Sequence, residues 1–215
     1  MTMKVILFGG TGMVGQGVLR ECLRDPEVAE VLAVVRSATG QQHAKLREIV
    51  HGDFNDFSAL QLDGDACFWC LGVSSPGMSE ADYTRITYGY TMAAAKVLAR
   101  PTMTFVFVSA AGAQGKPMWA RVKRTTEDAL FAMPFKEVYA FRPGMIQALH
   151  GIKSRTRLYN VLYPLLYPLI LAAKLVAPHF VTTTERVGQA MLRIAKRGFP
   201  KRVLETADIN AASSS

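Results

Sequence analysis

Residues 5–15 read VILFGGTGMVG, and this stretch decides the fold. The apolar run Val5–Phe8 ends in glycines, which is typical of a buried parallel strand. Beyond the glycines, apolar residues recur at helical spacing from Val14 to Leu23, and Asp25-Pro26 ends the helix. The pattern therefore predicts a strand, a glycine-rich loop and a helix in direct succession.

Each glycine of this loop has a distinct task. Gly9 permits a tight turn, Gly12 lets backbone N–H groups approach a pyrophosphate, and Gly15 lets the helix pack on the sheet. The helix N-terminus adds partial positive charge where the phosphates would lie. The alternative is a tight strand–helix turn without a ligand. We predict a Rossmann-type dinucleotide-binding unit in the first forty residues. Its pyrophosphate contacts are predicted at Gly9, Thr11, Gly12, Met13, Val14 and Gly15.

Strand and helix patterns alternate along the rest of the chain. Further strands are predicted at 31–35, near 49–50, and at 66–71, 104–108, 138–141 and 202–205, with helices at 80–98, 117–131 and 183–196. This alternation predicts an α/β fold, a doubly wound parallel sheet with helices on both faces and a small C-terminal substrate or lid region. We expect one domain over 1–215, with 145–182 as an apolar lid or interface segment and a frayed C-terminal tail.

Composition limits the classes of function. Half of the 215 residues are hydrophobic, so a sizeable core is available. The net charge of +8 favours an anionic partner, such as a phosphorylated cofactor, a nucleic acid or an acidic membrane surface. The three cysteines are an odd number, and no export signal is visible, so we expect a reducing compartment and a cytoplasmic location.

The residues at the end of the second predicted strand indicate which of the two nicotinamide cofactors is preferred. NAD-binding units usually carry Asp or Glu there to bind the ribose 2′-hydroxyl, whereas this strand runs into Arg36-Ser37. An arginine suits a 2′-phosphate, so we predict that NADP(H) is preferred and NAD(H) is the alternative. The competing interpretation is a surface arginine without a ligand.

At this point the chain resembles the short-chain dehydrogenase/reductase superfamily. It is most similar to the extended or atypical branch, in the NAD(P)H-binding group that includes Tat-interacting-protein-like and NmrA-like proteins. The resemblance covers about residues 3 to 200. It rests on four segments, which are Gly9–Gly15, Gly52–Phe54, Cys70–Gly72 and Phe141–Gly144.

The resemblance implies cofactor contacts beyond the glycine loop. Asp53 would accept a hydrogen bond from the adenine amino group, with Phe54 packed nearby, although Asp53 could instead cap the following turn. Cys70, Leu71 and Gly72 would lie along the cofactor at the end of the fourth strand. Pro143 and Gly144 would approach the nicotinamide at the end of the sixth.

The family's catalytic groups are a Ser after the fifth strand and a Tyr-x-x-x-Lys on the next helix. Ser109 and Lys123 match two of them. Residues four apart share a helix face, and the residue four before Lys123 is Trp119. An indole N–H only donates and does not titrate usefully, so Trp119 cannot take the proton-transfer role of the family tyrosine.

Three explanations of this substitution stay open. Another residue supplies the proton, the candidates being Tyr83, Tyr88, Tyr90 and Tyr139. Alternatively the acceptor needs no protein acid, as with a quinone or an activated double bond. In the third explanation the chain binds NADPH without turnover, as a sensor or scaffold. Lys123 keeps a role in each, because its ammonium can hydrogen-bond the nicotinamide ribose.

Other motifs in the sequence give little support for a redox, metal-binding, hydrolase or nucleic-acid-binding function. Cys67 and Cys70 have Cys-x-x-Cys spacing, but both are expected in a buried strand, which favours core packing over a redox motif. The four histidines lack metal-ligand spacing, so no metal is predicted, and no Gly-x-Ser-x-Gly elbow supports a hydrolase. Basic charge alone does not support nucleic-acid binding.

The apolar run 158–178 follows three basic residues, Lys153, Arg155 and Arg157. We interpret it as a lid over the substrate pocket or a homodimer surface. The alternative is peripheral membrane contact through 153–178. The sequence thus predicts an NADP(H)-binding reductase-like protein that transfers hydride to a small carbonyl, enone or quinone. The alternative is a catalytically silent NADPH-binding regulatory or interaction protein.

Overall fold

The computed structural model describes residues 2–152 and 180–214. The strands are β1 (Met3–Phe8), β2 (Val28–Val35), β3 (Leu46–Val50), β4 (Ala66–Trp69), β5 (Thr104–Val108), β6 (Glu137–Arg142), β7 (Met145–Gln147), β8 (Val181–Thr183) and β9 (Val203–Glu205). The helices are α1 (Met13–Arg24), α2 (Glu80–Thr84), α3 (Tyr90–Leu98), α4 (Met118–Phe131), α5 (Thr184–Arg197) and α6 (Thr206–Ser214), with a π-helical segment (Arg85–Gly89) between α2 and α3.

Seven of the described strands form one parallel sheet in the order β3-β2-β1-β4-β5-β6-β9. Two apolar clusters cover its faces. One lies between the sheet and α1, α5 and α6, and the other includes side chains of α3, α4 and the loop from Phe54 to Leu62. The predicted doubly wound α/β fold with helices on both faces is confirmed.

The helix predicted at 80–98 contains an irregularity. Tyr90 N–H donates to Arg85 O, five residues back, which defines the π-helical segment. The chain therefore has one extra residue in a turn there, and segments of this kind occur often at functional sites. Hydrophobic spacing alone could not locate it, because the turns on both sides keep the ordinary helical period.

The C-terminal end was predicted wrongly as a frayed tail. Residues Thr206–Ser214 form α6, and Ile209 and Ala212 are buried in the cluster shared with α1 and α5. Asn210 Nδ2 also donates to Val181 O over 3.0 Å, which ties the helix to β8.

The expected lid or interface segment lies mostly outside the described residues, which omit 153–179. Its two described ends meet, because β7 and β8 pair as a short parallel sheet. No helix in the described part of the chain is long and apolar enough to cross a membrane.

Candidate active site

The sheet order reverses direction between β1 and β4, and open parallel sheets bind ligands at such a switch point. The glycine loop lies there. Cys70 N–H donates to Phe8 O over 3.0 Å, which continues the β1–β4 pairing up to the loop. The edge where β1, β4, β5 and β6 end therefore holds the sequence-predicted loop and the residues after each strand.

Two glycines leave no room for a side chain. Gly9 has a φ of +76°, and a Cβ there would lie 2.5 Å from Leu71 N and 2.6 Å from the Cys70 carbonyl carbon. A Cβ on Gly15 would lie 2.6 Å from the Gly9 carbonyl carbon and 2.9 Å from Gly10 Cα. Gly15 thus serves the packing of α1 on its own loop, whereas the sequence indicated packing on the sheet.

The N-terminus of α1 is free for an anion. Gly12 precedes the helix and has no side chain to cap it, and the first turn contains no acidic residue. The first N–H groups of a helix have no intrahelical partner, so those of Met13 and Val14 are available to a phosphate. Thr11, Met13 and Val14 are partly exposed. The glycine loop and the first turn of α1 together form a phosphate cradle. Its accessible backbone N–H groups and its lack of acidic side chains fit the binding of a pyrophosphate.

Arg36 and Ser37 follow β2 directly and are exposed. The Arg36 side chain makes no hydrogen bond or ion pair within residues 2–152 and 180–214. An unpaired guanidinium therefore lies exposed at the end of β2, the strand that pairs with β1.

Asp53 and Phe54 follow β3 but differ in exposure. Asp53 is exposed, and its Oδ1 accepts hydrogen bonds from Asn55 N (2.9 Å) and Asn55 Nδ2 (2.8 Å), which hold the pKa of the carboxyl below its usual value. Phe54 is buried and packs on Phe57 and Tyr90. Its role in the structure is therefore in the core beneath Asp53.

The residues after β4 flank the glycine loop. Cys70 and Leu71 are partly buried against Gly9, and Gly72 is exposed. The sequence predicted both Cys67 and Cys70 inside the fourth strand. Cys67 lies inside β4, whereas Cys70 comes just after its end. Burial raises the pKa of both thiols, which agrees with core packing and not with a reactive pair.

Pro143 and Gly144 follow β6 at the same edge. Pro143 O accepts a hydrogen bond from Ala111 N over 2.9 Å, and Gly144 N donates to Thr206 Oγ1 over 2.8 Å. These bonds join the turn after β6 to the loop after β5 and to the start of α6.

Ser109 follows β5 directly, and Lys123 of α4 reaches the end of the same strand. Ser109 is 5% exposed, and its Oγ has no hydrogen-bond partner among the described residues. Lys123 Nζ donates to Val108 O over 3.1 Å and lies 5.1 Å from the centre of the Phe107 ring. Burial lowers the pKa of Lys123 to about 8, against an opposing effect of the Glu127 carboxylate.

Trp119 lies one helical turn before Lys123 on α4 and is partly exposed. Its indole lies beside Gly112, where an added Cβ would be 3.4 Å from the ring. The loop between β5 and α4 therefore lies against the indole.

The four tyrosines considered as replacement acids have different surroundings. Tyr83 and Tyr139 are buried, which raises the pKa of each phenol, and Tyr139 Oη accepts a hydrogen bond from Phe199 N. The Tyr90 ring packs on Phe54. Tyr88 is partly exposed in the π-helical segment, which contacts α4.

Sequence reasoning missed one ion pair beneath the site. Glu127 of α4 is 1% exposed and accepts from Arg142 Nε over 3.0 Å and from Arg142 Nη2. Arg142 Nη1 lies 3.7 Å from Glu205 Oε1. The pair fixes α4 to the end of β6 immediately before Pro143. Its only signal in the sequence was a glutamate on the apolar side of a predicted helix.

Comparison with known proteins agrees with this geometry. The model of the NAD dependent epimerase/dehydratase family matches residues 5–141. The chain belongs to that family. The predicted resemblance to short-chain dehydrogenases/reductases of the extended type is thereby confirmed, and the family supports an oxidoreductase-like function.

Solved structures of the epimerase/dehydratase and short-chain dehydrogenase/reductase class share the fold. A short-chain oxidoreductase from Burkholderia thailandensis aligns with a TM-score of 0.70 at 15% identity over 99% of this chain and 94% of that one. The enzyme WbmH of Bordetella bronchiseptica, solved in complex with NAD+, aligns with a TM-score of 0.64 at 17% identity over 95% and 75%.

Curated relatives of this family member correct one prediction. "Protein FMP52, mitochondrial" of Meyerozyma guilliermondii is 28% identical over an alignment of 161 residues, and the match covers 69% of each chain. "Protein fmp52-1, mitochondrial" of Aspergillus terreus is 31% identical over an alignment of 155 residues, and the match covers 66% of each chain. The prediction of a cytoplasmic location is wrong by this comparison, since these relatives are named as mitochondrial. Cysteine count and the absence of a recognisable signal were too weak to determine the compartment.

Proposed function

We propose that the chain binds NADP(H) and transfers hydride to a small carbonyl, enone or quinone acceptor. The observation that supports this proposal is that the glycine loop before α1 and the residues Ser109 and Lys123 lie at the same edge of the sheet. Gly9, Gly12 and Gly15 form the cradle, and Ser109 with Lys123 lies two strands away after β5. When bound, the reduced nicotinamide dinucleotide supplies the hydride.

Within this proposal the protein's own groups bind and orient. The N–H groups at the start of α1 hold the pyrophosphate, and Arg36 with Ser37 holds the 2′-phosphate. Asp53 faces the adenine, while Leu71, Gly72, Pro143 and Gly144 border the cofactor. Ser109 Oγ, buried and without a described partner, is free to donate a hydrogen bond to the oxygen of an acceptor.

Preference for NADP(H) predicts the effect of Arg36→Ala. The variant is expected to bind NADPH about 10- to 100-fold more weakly, because a hydrogen bond to a charged group contributes roughly 1.5–3 kcal/mol. NADH binding should change by less than about threefold, since NADH lacks the phosphate. Calorimetric titration of both cofactors measures this difference.

Arg47→Ala is the matched control, because Arg47 is an exposed arginine near the start of β3, where it pairs with Glu30 at 3.9 Å. It should leave both affinities unchanged. Tighter binding of NADH than of NADPH by the unaltered chain would contradict the preference, as would an equal loss for both cofactors in Arg36→Ala.

A second candidate function follows from Trp119. A chain without the family tyrosine could bind NADPH and not turn over, serving as a regulatory or interaction protein. Slow NADPH oxidation with quinones or aldehydes would favour the reductase. Tight binding without turnover across a broad panel of acceptors would favour the silent binder.

Trp119→Tyr tests whether the indole limits carbonyl reduction. A positioned acid contributes about 10²–10⁴-fold to such a reaction, so we expect kcat for 4-nitrobenzaldehyde to rise at least about tenfold. Trp119→Phe is the control and should show no gain, because it also lacks a titratable group. No gain in Trp119→Tyr would show that the indole does not limit reduction of this acceptor.

A further inference from the structure

Lys123 is held at the end of β5, and no carboxylate in the described part of the chain pairs with it. Its Nζ has one described hydrogen-bond acceptor, Val108 O at 3.1 Å, and rests over the Phe107 ring. Glu127, one turn along α4, is already bonded to Arg142 through both carboxylate oxygens. An ammonium group with two spare N–H donors therefore lies beside the residue that precedes Ser109.

The surroundings of Lys123 bring the pKa of its ammonium group down towards neutral pH. The charged and titratable groups on the elements packed against α4 are Glu80, Asp82, Tyr83, Arg85, Tyr88, Tyr90, Lys96, Glu137, Tyr139 and Arg142. Glu80 pairs with Arg121, and Asp82 pairs with Arg85. Among the described groups, Glu127 is the one whose charge raises the pKa of Lys123, and burial outweighs it to leave the pKa at about 8.

We propose that Lys123, in place of the tyrosine that Trp119 has replaced, donates the proton to the acceptor oxygen, an inference that rests on the reductase function proposed above. The acceptor carbon gains the hydride of the reduced nicotinamide, and the C=O π pair moves onto oxygen. That oxygen takes a proton from Lys123 Nζ, so an N–H bond breaks and an O–H bond forms. Water then reprotonates the neutral amine.

The nearby tyrosines fit this role less well. Tyr83 and Tyr139 are buried with raised pKa values, so both are weaker acids than a free phenol. The Tyr90 ring is partly buried and packs against Phe54. Tyr88 and Tyr90 are both partly exposed, so each phenol needs its own variant in the test.

The first measurement needs no turnover. In protein labelled with ¹⁵N and ¹³C lysine, the Lys123 Cε and Nζ shifts are followed against pH, and Lys123→Arg identifies the signal. The expected midpoint is near 8. A midpoint near the ordinary lysine value of about 10.4 would overturn the proposal.

The second measurement separates binding from chemistry, with 4-nitrobenzaldehyde and NADPH as the probes. Lys123→Arg keeps the positive charge but does not release a proton at these pH values. We expect NADPH affinity within about threefold of the parent and kcat lower by roughly 10²–10⁴-fold. In the parent, kcat for reduction should fall as pH rises above about 8, because the reaction needs the protonated amine.

Lys136→Arg is the matched control, because Lys136 is exposed and lies before β6, at the opposite edge of the sheet. It should leave kcat and the pH profile unchanged. A parent protein that does not bind NADPH would overturn the proposed function itself. A parent that binds NADPH but turns over no acceptor would likewise overturn the proposed reductase function. In a parent that turns over, full kcat in Lys123→Arg, or a loss of kcat only in Tyr88→Phe or Tyr90→Phe, would overturn the role of Lys123.

Discussion

Replacing Gly15 by alanine is expected to destabilise the protein by more than about 3 kcal/mol, above the usual cost of an overpacked side chain. The added Cβ would lie 2.6 Å from the Gly9 carbonyl carbon and 2.9 Å from Gly10 Cα, so it would collide with backbone and not with a flexible side chain. The Gly9 backbone has little room to shift, because even a Cβ on Gly9 would lie 2.5–2.7 Å from backbone atoms of Cys70 and Leu71. Urea unfolding followed by circular dichroism measures the loss.

Gly72→Ala is the control for this prediction. Gly72 lies at the same edge of the sheet, and a Cβ there meets nothing within 4 Å. Its free energy of unfolding should stay within about 0.5 kcal/mol of the parent, as for most surface substitutions. Equal stability of the Gly15 and Gly72 variants would show that the loop can move away from α1, and the close packing of the glycine loop would then be wrong.

The parallel sheet could be predicted from the sequence because each strand is a short apolar run bounded by turn residues. Thr104–Val108 was located to the residue, since its five apolar or β-branched residues stand between polar segments. The π-helical segment and α6 could not be predicted. The first leaves the hydrophobic period intact, and the second depends on burial of Ile209 and Ala212 by helices distant in sequence.

The site was predictable only where local rules apply. Helical spacing placed Trp119 and Lys123 on one side of α4, and strand ends placed Ser109 and Pro143 at one edge. Arg142 was given no role, because its partner Glu127 lies 15 residues away and no local pattern joins them. Burial of Phe54 is likewise a tertiary effect, set by Phe57 and Tyr90.

Glu127→Gln should also have a large effect, a loss of roughly 3–5 kcal/mol in the free energy of unfolding. Glu127 is 1% exposed, and the Arg142 side chain is 13% exposed. The glutamine removes the carboxylate whose hydrogen bond and charge hold the pKa of Arg142 above its ordinary value, and a nearly buried guanidinium loses its main partner. Glu205, at 3.7 Å and half exposed, compensates only in part. Urea unfolding at neutral pH measures this loss.

The matched control is Glu80→Gln, which removes a pair between Arg121 of the same helix and an exposed carboxylate at 2.8 Å. An exposed pair contributes about 0–1 kcal/mol, so this variant should stay near the parent. Similar small losses in both variants would mean that water reaches Arg142 and that the pair does not fix α4 to β6.

Glu127→Gln should also move the Lys123 titration below its value of about 8, because Glu127 is the charge that favours the ammonium. A stability loss without that shift would place Glu127 in the packing of α4 alone, whereas both together would show that one carboxylate positions the helix and adjusts the proton affinity of Lys123.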